Sequence, residues 1–83
     1  MTRLSDTDRQ KKRVDLGKRL MLMRARAGLS QAQVGESLGV RRPTVTAWES
    51  GDAEPKALDL QRLADLFGVD INVLTGRAHL PLE

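Results

Sequence analysis

No cysteine occurs in this chain, and there is a single histidine. The first absence excludes a disulfide staple and a thiolate metal site, and it suits a reducing cytoplasm, the expected compartment. The histidine, His79, lies in the tail with no partner pattern, so no spaced metal-ligand set can be assembled around it. A phosphate-binding glycine loop is missing too. Long apolar runs are also lacking. No stretch approaches the ~20 residues of a membrane span, and the opening MTRLSDTDRQKKR has no signal-peptide core. Together these absences argue against an enzyme, against a cofactor or metal, and against membrane association.

What is present fits one small domain. A chain of 83 residues has room for one core, burying about 60 to 65% of the surface its unfolded form exposes. Net charge is only +3, but residues 1–26 hold nine Lys/Arg against three Asp. Residues 27–55 hold two against four, and 56–83 three against four. A basic block of this kind is either a phosphate-seeking surface or a solvated helix face.

Apolar spacing predicts five short helices. Leu16, Leu20, Met23 and Ala27 fall on one side of the first, which Gly28 ends. Ser30 stands as N-cap of the second, Gln31–Leu38, where Val34 and Leu38 share a face before Gly39. The third ends at Gly51. Leu60, Leu63, Ala64 and Phe67 recur at helical spacing in Ala57–Phe67, and Asp70 caps a last turn, Ile71–Leu74. The expected core is Leu20, Met23, Val34, Leu38, Val40, Val45, Trp48, Leu60, Leu63, Phe67 and Leu74. Residues 1–13 are polar and basic apart from Leu4 and are expected to form a mobile arm. The folded domain is placed at 14–76 and a tail at 77–83, whose Leu82 and Glu83 belong to no pattern and read as a cloning remnant.

The third helix is the least obvious. Within RRPTVTAWE, residues 44–48 have the types of a β-strand. A lone strand among helices would leave its backbone groups without partners, at about 1 to 3 kcal/mol for each one buried. The helical penalty for Thr and Val is only a few tenths of a kcal/mol each. A helix therefore wins, with Val45 and Trp48 inward and Arg42, Pro43, Thr46, Ala47 and Ser50 outward. Proline suits a helix start, so Arg42 is expected as cap and Pro43 as first helical residue. Two arginines do not suit it. Cations at a helix N-terminus are disfavoured by roughly 0.3 to 1 kcal/mol each, and an anionic ligand across that end resolves the conflict.

Residues 31–50, QAQVGESLGVRRPTVTAWES, resemble the helix-turn-helix of the lambda repressor and Cro repressor family, also called the xenobiotic-response-element family. Val34, Leu38, Val40, Val45 and Trp48 match the positions where that motif packs its helices, with Gly35 at the close crossing and Gly39 in the turn. The similarity extends over about 16–76. It implies an all-α, compact five-helix lambda repressor-like DNA-binding domain with a mobile basic N-terminal arm. The second helix then crosses the DNA backbone and the third enters the major groove.

The resemblance further implies roles for single residues. Arg41, Arg42, Pro43, Thr46 and Ala47 occupy base-reading positions, while Gln31, Thr44 and Lys56 match phosphate contacts. An arginine pairs well with guanine O6 and N7, so a guanine is expected in each half-site. Arg24 and Glu49 match a structural ion pair. Family dimers use surface here represented by Leu58, Ile71 and Asn72. Three features depart from the family: Arg41 stands where a serine or threonine cap is usual, Asp52 and Glu54 are acidic, and Met21 and Leu22 replace polar residues. With Val14 and Ala25, Met21 makes a second apolar stripe, a cover for the arm near Leu4 or a meeting place for another protein.

Two functions follow. The first is a sequence-specific transcriptional regulator, a repressor, binding double-stranded DNA as a weak homodimer on a two-fold operator. The alternative is an antitoxin or adaptor whose main contact is a protein partner.

Overall fold

Apolar periodicity and capping residues build five α-helices among the described residues, 6–77 of the computed structural model. They are α1 Asp6–Arg26, α2 Gln31–Leu38, α3 Arg42–Ser50, α4 Ala57–Phe67 and α5 Ile71–Leu74. Residues 44–48 are helical, within α3. Residues 1–5, with Leu4, and 78–83, with His79, Leu82 and Glu83, lie outside the described residues.

The first helix starts earlier than its apolar pattern suggests. Residues 6–13, assigned to the arm from sequence, form its first two turns. Gln10 Nε2 and Arg13 Nε both donate to the Gly51 carbonyl at the end of α3, at 3.4 and 3.2 Å. Gly51 is left-handed, with φ 84°, and an added Cβ would stand 2.8 Å from Val14 Cγ2. Only glycine meets both conditions there.

The core draws on every helix. Leu16, Leu20 and Met23 of α1, Val34 and Leu38 of α2, Val45 and Trp48 of α3, Leu63 and Ala64 of α4, and Leu74 of α5 are buried together. Three residues expected in this core, Val40, Leu60 and Phe67, are only partly buried and pack against its edge. Each sits at or near an element end, where neighbouring turns leave one side open. Ala27 is exposed because α1 stops at Arg26. Fully burying a Leu or Val side chain stabilises by about 1.5 to 3 kcal/mol, so these residues supply much of a small domain's driving force.

Helix ends are tied by side chains. Ser30 Oγ accepts from the Gln33 N–H at 3.0 Å and Gln33 Oε1 accepts from the Ser30 N–H at 2.8 Å, a reciprocal cap on α2. Arginines close the opposite ends. Arg62 Nη2 donates to the Leu38 carbonyl at 2.7 Å and Arg19 Nε to that of Leu74 at 2.8 Å. Last-turn carbonyls lack intrahelical donors and carry partial negative charge, so a guanidinium satisfies both needs. Part of the N-terminal basic block is therefore structural: Arg13, Arg19 and Arg24 all donate to backbone carbonyls within the domain.

Candidate nucleic-acid interface

The start of α3 lacks a side-chain cap. Arg41 is its N-cap, with φ −78° and ψ 151°, and makes no capping hydrogen bond. Arg42 is the first helical residue and Pro43 the second, one position later than expected. The shift is tolerated because the N–H that proline lacks is still one of the first-turn donors without an intrahelical acceptor. The Thr44 N–H reaches the Arg41 carbonyl at 3.0 Å and tightens this turn. Arg41 and Arg42 are both exposed. Two cations thus stand on the positive end of the helix dipole, where charge of that sign is disfavoured.

The outward face of α3 forms a shallow depression of about 510 Å³, lined by Gln31, Arg42, Pro43, Thr46, Ala47, Ser50 and Asp52. Four of the five residues expected to read bases meet there, together with Gln31 of α2. Arg41 lies beside them at the cap. Thr44 is partly buried, and Lys56 is the exposed N-cap of α4 without a side-chain capping bond. Asp52 brings an acidic group to the rim.

Behind this face runs a chain of hydrogen bonds from α1 to α3. Arg24 Nε donates to Glu49 Oε2 at 2.6 Å and its Nη2 to Oε1 at 3.1 Å. Arg24 Nη1 also donates to the Leu29 carbonyl at 2.9 Å. Glu49 is the buried charged residue of the core, 6% exposed. Its hydrogen bond raises the Arg24 pKa above the ordinary value, burial lowers it, and charge attraction raises it further.

Gln31 continues the chain. Its Nε2 donates to Glu49 Oε1 at 2.9 Å, and its Oε1 accepts from Thr46 Oγ1 at 2.9 Å. One Nε2 proton remains beyond that bond. The Gln31–Thr46 link was not foreseen from sequence, and neither was Gly17. A Cβ on Gly17 would stand 2.6 Å from the Trp48 carbonyl oxygen, so glycine is what lets α1 lie against the end of α3. A glycine in mid-helix was its only trace in the sequence.

No group of three or more Asp, Glu or His among the described residues could hold a metal ion. No helix among them is long and apolar enough to cross a membrane.

A helix-turn-helix family model matches residues 20–74. The antitoxin HigA1 of Mycobacterium tuberculosis is 38% identical over 80 residues, 96% of this chain and 47% of the relative. The chain thus spans about half the length of that relative. The uncharacterised HTH-type transcriptional regulator YgzD of Bacillus subtilis is 43% identical over 47 residues, 57% of this chain and 71% of the relative. Among solved structures, the restriction-modification controller protein C.AhdI of Aeromonas hydrophila superposes with a TM-score of 0.75 at 27% identity, covering 81% of this chain and 97% of that one.

Proposed function

The chain belongs to the helix-turn-helix family of the lambda and Cro repressor type, and from that membership we propose a sequence-specific DNA-binding transcriptional regulator that acts as a repressor. The observation that carries this reading is the α3 N-terminus: two exposed arginines and a proline, no side-chain cap, and a depression lined by short polar and apolar groups. An anionic, grooved ligand supplies what that end lacks. In this reading α3 lies in the major groove, Arg41 and Arg42 face guanine edges, and Pro43, Thr46 and Ala47 face neighbouring bases. Gln31, Thr44 and Lys56 lie along phosphates.

A two-fold operator follows from a homodimer with recognition helices about 34 Å apart. Leu58 on α4 is 70% exposed, the most exposed large hydrophobic side chain of the described residues, and suits a self-contact beside Ile71 and Asn72 of α5. Binding of labelled duplex DNA, titrated at several salt concentrations, tests the reading. Affinity should fall steeply with salt, and an Arg41→Ala/Arg42→Ala double variant should lose the preference for one sequence over others. A double variant that binds like the wild type contradicts it.

A second reading has its own observations. The similarity to an antitoxin covers nearly the whole chain, and α1 exposes Met21 and Leu22 at 46% and 55%. Both suit a protein partner held by α1 while α3 stays free for DNA. A stoichiometric protein recovered with the wild type and lost with a Met21→Glu/Leu22→Glu variant supports it.

A further inference from the structure

Resting on the reading of α3 as the helix that faces DNA, we infer that Thr46 meets its base as a hydrogen-bond acceptor only. It therefore selects a base with an exocyclic amine, adenine or cytosine, over guanine or thymine. In the major groove adenine and cytosine present N6 and N4 donors there, whereas guanine O6 and thymine O4 are acceptors. A threonine hydroxyl would ordinarily serve either kind, since it can give or take a proton.

Here the choice is made from inside the protein. Both carboxylate oxygens of Glu49 accept, from Arg24 and from Gln31. The Gln31 amide must turn its NH₂ toward Glu49, because its oxygen there would face another acceptor. That fixes Gln31 Oε1 at the other end, 2.9 Å from Thr46 Oγ1. The second inward neighbour of this hydroxyl is the Arg42 carbonyl at 3.2 Å, again an acceptor. A hydroxyl has one proton, and both neighbours on the protein side require it. Only lone pairs remain to face outward.

The rest of the depression is ordered in the same sense. Ser50 Oγ gives its proton to the Ala47 carbonyl at 3.1 Å and accepts the Asp52 N–H at 3.4 Å. Asp52 adds a carboxylate. The α3 face thus begins with the guanidinium donors of Arg41 and Arg42 and ends in acceptors. Gln31 and Glu49 act on the base through Thr46, as positioning residues that fix its polarity.

The test compares sequences selected from a random DNA pool by the wild type, Thr46→Ser and Thr46→Val. Position 46 is exposed, and helical content measured by circular dichroism checks that each variant folds. The wild type and Thr46→Ser should share one fixed half-site base pair, which becomes indifferent in Thr46→Val while the other positions persist. On the selected site, the amine-bearing base of that pair is then replaced by its analogue without the amine, purine for adenine or 2-pyrimidinone for cytosine. This replacement should weaken the wild type about two- to tenfold and leave Thr46→Val unchanged. An analogue that costs the wild type nothing overturns the inference, and so does one that costs both proteins equally. A selected motif that Thr46→Val leaves intact overturns it as well. A wild type that enriches no sequence at all instead sinks the DNA-reading function on which the inference rests.

Discussion

Arg24 Nε lies 2.6 Å from Glu49 Oε2, with the Arg24 side chain 19% exposed and that of Glu49 only 4%. The asymmetry orders the two deletions. Arg24→Ala strands a carboxylate in the core, and such a loss costs about 3 to 5 kcal/mol. Glu49→Ala leaves a guanidinium that still reaches water and the Leu29 carbonyl, so its cost should be smaller. Urea unfolding of both variants measures the difference; losses under about 1 kcal/mol for both would mean the pair is solvated.

Gly17→Ala should destabilise, although alanine is the better helix former by roughly 0.5 to 1 kcal/mol. The new Cβ meets the Trp48 and Glu49 carbonyls, which are backbone and cannot swing away. A net loss of about 1 to 3 kcal/mol is expected, as for overpacked cores. A more stable Gly17→Ala protein would show that α1 and α3 can part at little cost.

Arg41→Ser separates stability from function. The Thr44 N–H that a serine cap would take already reaches the Arg41 carbonyl, so the gain comes from removing a cation from the dipole's positive end, roughly 0.3 to 1 kcal/mol. Thermal unfolding should therefore move up while affinity for the preferred DNA falls. A variant that gains stability and keeps full affinity would remove Arg41 from the interface.

Lys56→Ala should weaken binding to all sequences alike and make the salt slope shallower by about one. The residue is exposed at the α4 N-terminus, where a phosphate would be the natural partner. A loss confined to the preferred sequence would place Lys56 on a base instead.

The helices were legible in the sequence because glycines, caps and apolar spacing agree. Ser30, Gly39, Gly51 and Asp70 each stand where the chain turns. Only the Ser30 cap was read from the sequence; the return bond from Gln33 that completes the box emerged with the structure. The first two turns of α1 were not, since residues 6–13 carry no apolar stripe and are held by polar bonds to Gly51, a residue distant in sequence. The same cause hid the roles of Arg19 and Arg62, whose guanidinium groups read as surface charge until the carbonyls they cap are placed. At the candidate site, the identities on the α3 face follow from helical geometry. The polarity of Thr46 does not, because it depends on Gln31 and Glu49 from two other positions meeting in space.

Selection of bound duplexes from a random DNA pool tests most directly whether α3 reads DNA. A two-fold symmetric motif with guanine in each half-site, lost in the Arg41→Ala/Arg42→Ala variant, is the result predicted. No enrichment at low salt, or a motif that the double variant retains, would contradict it.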